Sequence, residues 1–228
     1  MPQQTFLNLS PQRQQEIIDT CLDEFVRYDY RDASLTRIIE TLGLAKGSFY
    51  RYFASKRELY EYLIEYATGY TLNIFDRFFT GKTDDLLQTW VEFFLACVEQ
   101  DNDYPLMSYF GYRITRETDN VVLGDVPRQT LKRGIEVLSR HLREQQEQGA
   151  IRTDVDAGQL VYVLLQVQSG FLNYLELKYA LDFEANVRAG QPLFPLPTET
   201  LRCELEALAD ILRCGFSSPT PGEKGGAG

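Results

Sequence analysis

The chain has 228 residues, with 23 Lys and Arg against 33 Asp and Glu and a formal net charge of −10. Its 44% hydrophobic and 25% charged content is that of a globular protein of one or two domains and excludes wholesale disorder. The acidic total counts against nucleic acid at first reading, and no apolar run approaches the ~20 residues that a bilayer-spanning helix needs.

The N-terminal stretch MPQQTFLNLSPQ lacks a basic leader and an apolar core, so no signal peptide is expected. Cys21, Cys97, Cys203 and Cys214 are scattered, as in a protein of a reducing cytosol without a disulfide framework. Ser10-Pro11 offers a capping hydroxyl and a first-turn proline, and Ile17, Ile18, Cys21, Leu22, Phe25 and Val26 then fall on one helical face. Ser34 opens a short helix carrying Leu35, Ile38, Ile39 and Leu42, and Gly43 supplies its left-handed exit. A third short helix is predicted over Lys46–Phe53. Ser55 and Glu58 form a capping box at the head of a long helix running towards Phe79.

Beyond Gly81 the helices lengthen. Thr83 or Asp84 is the expected cap of a segment with Leu86, Leu87, Trp90, Phe93, Phe94, Cys97 and Val98. Pro105 and Pro127 start two more helices, the second stopped by Gly149. Apolar positions from Leu160 to Leu175 and from Leu201 to Phe216 step by three and four, which predicts helices over 156–180 and 198–216 separated by a loop, Asp182–Pro197. Ser217–Gly228 reads as a disordered tail. No stretch sustains the alternation of a strand, so the fold class is all-α.

The charge is unevenly placed. Residues 1–60 hold eight basic and eight acidic residues, leaving fifteen against twenty-five in the remainder. Within Gly43–Arg57, Lys46, Arg51, Lys56 and Arg57 give +4 with no acid. Two short helices joined through Leu42-Gly43-Leu44-Ala45 suggest a helix-turn-helix, and cations interleaved with Tyr50 and Tyr52 suit phosphate oxygens. A solvated basic turn between two core helices fits the same charges. Enzyme chemistry has little to draw on: there is one histidine, His141, and no Gly-rich phosphate loop, so neither catalysis nor a metal or other cofactor is expected.

The run Thr36-Arg-Ile-Ile-Glu-Thr-Leu-Gly43-Leu-Ala-Lys-Gly-Ser-Phe-Tyr-Arg-Tyr-Phe53-Ala-Ser-Lys56-Arg-Glu-Leu59 closely resembles the DNA-binding signature of the tetracycline-repressor (TetR) family. Lys46, Gly47, Ser48, Phe49, Tyr50, Phe53 and Lys56 fit its recognition-helix pattern; Ile39, where alanine is usual, and Ala45, where a capping Ser or Thr is common, depart from it. Gly149-Ala-Ile-Arg152-Thr-Asp154 is a second, weaker likeness. The resemblance covers about residues 10–60.

It implies a three-helix DNA-binding domain (1–55) and a helical ligand-binding and dimerisation domain (56–216) ahead of the tail (217–228), about nine helices in all. Implied DNA contacts are Thr36, Tyr50, Tyr52 and Lys56 on phosphates, Lys46, Ser48 and Arg51 in the groove, and Gly47 as the point of close approach. The implied ligand is a lipophilic or aromatic small molecule lined by Tyr66, Tyr70, Trp90, Phe94, Met107, Phe110 and Tyr174; Glu92 or Glu99 would select a lipophilic cation instead. Val167, Phe171, Leu175, Leu205, Leu208 and Leu212 are the implied homodimer face. The expected function is that of a cytoplasmic, nucleoid-associated transcriptional regulator of the bacterial cytosol, a repressor released from operator DNA by its ligand. The alternative is a helical small-molecule-binding protein whose DNA-binding domain is vestigial.

Overall fold

The computed structural model describes residues 2–79, 85–116 and 126–216. Among them are eleven helices and no strand: α1 (Gln4–Leu7), α2 (Pro11–Arg27), α3 (Leu35–Thr41), α4 (Lys46–Tyr50), α5 (Lys56–Phe79), α6 (Leu86–Asp103), α7 (Pro105–Arg116), α8 (Val126–Glu147), α9 (Ala157–Tyr179), α10 (Phe183–Arg188) and α11 (Thr198–Phe216). The expected tail and the expected caps Thr83 and Asp84 lie outside the described residues.

Local chemistry sets most boundaries. Ser10 Oγ accepts from the amide of Arg13 (3.3 Å) and Ser34 Oγ from that of Arg37 (3.4 Å), each occupying an otherwise orphaned donor. Ser55 and Glu58 both cap: Ser55 Oγ takes the Glu58 amide (3.1 Å), while the Glu58 carboxylate takes the amide of Ala54 (2.6 Å). Asp85 caps α6 through the amides of Leu87 and Gln88, and Asp156 caps α9 through those of Gly158 and Gln159. Gly43 (φ +63°) and Gly149 (φ +71°) make the left-handed exits of α3 and α8. Two short helices go beyond the sequence expectation. α1 precedes the first predicted helix, and α10 is nucleated within the Asp182–Pro197 loop by Asp182, whose carboxylate accepts from the amide of Ala185 (2.9 Å).

The chain divides into two compact units. The first comprises Met1–Thr71, Gln100–Thr130 and Asp182–Leu193. Its core gathers Ile17, Leu22 and Phe25 of α2, Ile38 of α3, Phe49 of α4, Leu59 and Leu63 of α5 and Met107 and Phe110 of α7. α7 packs along α2 and carries α10. Arg113 of α7 fixes the end of α2 by donating to the carbonyls of Phe25 (3.0 Å) and Val26 (2.5 Å) and pairing with Asp29. A cation on the carbonyls at a helix C-terminus complements its dipole.

The second unit comprises Leu72–Glu99, Leu131–Leu181 and Phe194–Gly228. Its interior is strongly aromatic. Phe75 stacks on Phe79 with centroids 4.1 Å apart, Phe93 meets Phe75 edge-on at 5.4 Å, and Phe94 meets Phe171 at 5.6 Å. His141 is half-buried with its ring 5.4 Å from that of Phe75 and its Nδ1 3.2 Å from the carbonyl oxygen of Val137. Gln146 holds the turn after α8 by donating to the carbonyls of Arg152 (2.9 Å) and Val155 (2.8 Å), and this seats Ile151 in the core.

Candidate nucleic-acid interface

α4 is only five residues long, so its orientation depends on what it is bolted to. Phe49 and Phe53 are fully buried, 5.9 Å apart, and anchor its inner side. The N-terminal segment holds its far end. Phe6 is enclosed by the rings of Tyr52, Phe53 and Tyr62, the amide of Gln3 donates to the carbonyl of Tyr52 (3.0 Å), and the Thr5 hydroxyl donates to the carbonyl of Arg51. Sequence reasoning missed this clasp; a lone Phe in a polar stretch, three residues after Gln3, was its only signal. Ala45 makes no side-chain cap, as its identity foretold.

α3 is fixed from the other side by Glu24, a buried carboxylate on α2. It accepts from the amide of Ser34 (2.6 Å) and from Arg37 Nε (3.0 Å), and the guanidinium lies 4.0 Å over the ring of Tyr28. Glu24 is buried while the Arg37 side chain is 44% exposed, so losing Arg37 would strip donors from a buried carboxylate, and the pair ties α3 to α2.

What this frame presents to solvent is the outer side of α4. Lys46, Gly47, Tyr50 and Arg51 are exposed, as is Thr36 on α3; Ser48 and Tyr52 are half-buried. Among the described residues, the Arg51 guanidinium approaches the hydroxyl of Ser48 alone, at 3.5 Å, which leaves most of its fork of donors open.

Two of the four cations counted in this stretch are already engaged. Arg57 pairs with Glu61 at 2.7 Å. Lys56, expected as a phosphate contact, instead donates from Nζ to the carbonyls of Tyr30 (2.6 Å), Ala33 (2.9 Å) and Arg31 (3.1 Å). Three carbonyls use all three hydrogens of an ammonium, so in this conformation Lys56 braces the turn before α3 and has none to spare for a phosphate. Partial burial holds its pKa below the ordinary lysine value.

The expected ligand-lining residues are distributed rather than gathered. Met107 and Phe110 belong to the core of the first unit. Tyr66 and Tyr70 lie beside a polar network there: Tyr66 donates to Gln15 Oε1 (3.1 Å), Gln15 donates to the Tyr104 hydroxyl (2.7 Å), and Tyr104 donates to Asp19. Burial and the Asp19 carboxylate push the Tyr104 pKa well above the ordinary tyrosine range. Trp90 and Phe94 are interior in the second unit, 5.9 Å apart, whereas Tyr174 is exposed. Glu92, the possible cation selector, is paired with Arg202; Glu99 is exposed.

Of the expected dimer face, Leu175 and Leu205 are sealed inside the second unit, Phe171 is buried, and Val167, Leu208 and Leu212 are half-buried. Among the described residues, the large apolar side chains that α9 and α11 leave in water are Tyr162, Val163, Tyr174, Leu177 (84% exposed) and Ile211 (77% exposed). Between these helices runs a groove of about 400 Å3 lined by Val167, Gly170, Phe171, Tyr174, Leu208 and Ile211, with Glu204 at its polar edge. Glu204 is held there by Lys178 and by the hydroxyl of Tyr179 (2.7 Å). Among the described residues no group of three His, Cys, Asp or Glu side chains is placed to hold a metal ion, and no helix is long and apolar enough to cross a membrane.

Residues 17–63 match the family described as bacterial regulatory proteins, tetR family. A TetR-family transcriptional regulator of Chloroflexus aurantiacus J-10-FL is 26% identical, with 95% of this chain and 98% of that one covered and a TM-score of 0.64. A putative TetR-family regulator of Syntrophomonas wolfei is 20% identical over 87% of this chain and 95% of that one, with a TM-score of 0.64. SmeT, the repressor of the Stenotrophomonas maltophilia multidrug efflux pump SmeDEF, is 14% identical over 93% and 95%, with a TM-score of 0.65. No curated protein matches the chain. Residues 17–63 thus belong to the tetR family of bacterial regulatory proteins, and the chain as a whole has the fold of TetR-family transcriptional regulators.

Proposed function

We propose that the protein is a homodimeric repressor that binds operator DNA through α4 and is released by a lipophilic or aromatic small molecule. Residues 1–55 serve as the DNA-binding domain and 56–216 as the ligand-binding and dimerisation domain; the reading assigns the chain no catalysis and places it in the cytoplasm. The observation that carries it is the exposed side of α4. A helix of five residues, anchored by the buried Phe49 and by Phe53 just beyond it and held at its far end by the N-terminal segment, presents Lys46, Gly47 and Tyr50 to solvent together with Arg51 at its C-terminal cap. Lys46, Arg51 and the Tyr50 hydroxyl supply phosphate and base-edge donors, with Ser48 and Thr36 beside them.

The exposed stripe on α9 and α11 supports a second copy as its occupant. Pairing the two helices with their symmetry mates makes a four-helix bundle and covers Leu177 and Ile211. A dimer then sets two copies of α4 in successive major grooves, roughly 34–36 Å apart. SmeT is named as a repressor and has also been solved with triclosan, an instance on this fold of a regulator with a small aromatic ligand. Release requires that the ligand bind one conformer more tightly than the DNA-competent one.

Lys46→Ala and Tyr50→Ala should each remove most affinity for a selected operator fragment in a mobility-shift assay at fixed salt. The dimer and its helicity should be unchanged, because both side chains are exposed. Unchanged binding by both variants refutes the assignment of α4.

A further inference from the structure

We propose that Trp90 anchors an uncharged lipophilic ligand inside the second unit by donating its indole N–H to a carbonyl or similar acceptor on that ligand. This rests on the ligand-responsive reading above and specifies the chemistry of the ligand.

Trp90 is 2% exposed, yet among the described residues its Nε1 has no hydrogen-bond acceptor. A buried donor left unpaired is costly and uncommon, so one that persists calls for an external partner. Water is a poor one here. A buried water needs two or more polar groups, and the neighbours of Trp90 at helical spacing on α6 are Leu86, Leu87, Phe93, Phe94 and Cys97. The ring of Phe94 stands 5.9 Å from that of Trp90 and bears on Phe171, so the surroundings favour an apolar skeleton.

The charge of the ligand follows from what else is buried. The buried polar side chains among the described residues are Glu24, Asp101, Ser139 and Gln145. Both carboxylates belong to the first unit; Ser139 and Gln145, in the second, are neutral. The ion pairs of the second unit, such as Glu92 with Arg202 and Asp85 with Arg213, stay partly exposed at its surface. A charged group entering this interior would lose its hydration without meeting a counter-ion, whereas a ketone, ester or ether oxygen needs one donor and finds it.

Trp90 is the only tryptophan, so 15N-tryptophan labelling gives one indole N–H resonance. The probes are benzophenone, diphenylmethane (the same two rings without the acceptor) and 4-benzoylbenzoate (the same ketone with a charge). Benzophenone should bind the full-length protein at least about tenfold more tightly than either of the others, and it should move the indole resonance downfield. In Trp90→Phe the preference over diphenylmethane should disappear. Equal binding of benzophenone and diphenylmethane, failure of benzophenone to bind, an unmoved resonance on binding, or a preference that survives in Trp90→Phe would each overturn the proposal. Equal binding of 4-benzoylbenzoate would overturn its uncharged ligand. The resonance in the wild-type protein decides the matter even if Trp90→Phe folds poorly. Enrichment of genomic DNA fragments by the ligand-free protein separates the two failures: enrichment without probe discrimination sinks this inference alone, and discrimination without enrichment sinks the regulator reading.

Discussion

Gly47 is a residue that the protein's own packing does not require. It lies in a helix, is exposed, and a Cβ at its position would meet nothing within 4 Å. Alanine would therefore fit and would favour the helix by up to about 1 kcal/mol. A surface that must come close to something outside the molecule accounts for the glycine. Gly47→Ala should raise the urea midpoint while weakening operator binding; a variant as tight as wild type on DNA would remove that account. Asp101 makes the opposite case, a group whose role is internal. It is buried with hydrogen bonds from Tyr112 and Ser108, and burial lifts its pKa from the ordinary 3.8 to about 6. Between those values the folded state holds a proton that the unfolded chain has lost, so stability is intact below about pH 4 and falls as pH rises through 6, by on the order of 3 kcal/mol. Asp101→Asn should flatten that part of the stability profile; an unchanged slope in pH-dependent urea unfolding would show that Asp101 does not supply it. The sequence pattern made the solvent-exposed side of α4 legible. The engagement of Lys56 was not, because its three carbonyl partners lie 23 to 26 residues away in sequence.

At the level of elements, boundaries were legible wherever one side chain or one glycine decides them: Ser10, Ser34 and the Ser55–Glu58 box at helix starts, Gly43 and Gly149 at helix ends. α1 was not, since four residues around Phe6 acquire helical structure only by packing on Tyr52, Phe53 and Tyr62. The faces of α9 and α11 were half legible. Apolar residues around more than one stripe say that a helix is covered twice, but periodicity alone does not say which stripe faces inward. The structure turns Leu175 and Leu205 in and leaves Leu177 and Ile211 out. Ile211→Glu should therefore yield a folded monomer in sedimentation experiments at unaltered helicity, whereas Leu205→Ala, which opens a cavity, should cost about 2–5 kcal/mol of stability. A persistent dimer in Ile211→Glu would move the interface elsewhere.

For the whole molecule, net charge is an average over segments with different tasks. Residues 1–60 are neutral overall and the rest carries all of the −10, so the acidic total that counted against nucleic acid describes the part of the chain that need not touch it. Within the basic stretch, Arg57 is paired and Lys56 is capped by carbonyls, so Lys46 and Arg51 hold the cationic donors left open to a phosphate. An acidic body of this kind should suppress non-specific binding and leave recognition to a few well-placed groups. The most direct test of the account is selection of fragmented genomic DNA by the ligand-free, full-length protein. It predicts enrichment of one palindromic motif with half-sites a helical turn apart, about 10 base pairs centre to centre, and loss of that enrichment in Lys46→Ala. A protein that enriches no motif, or whose Lys46→Ala variant enriches the same motif as well as wild type does, would contradict it.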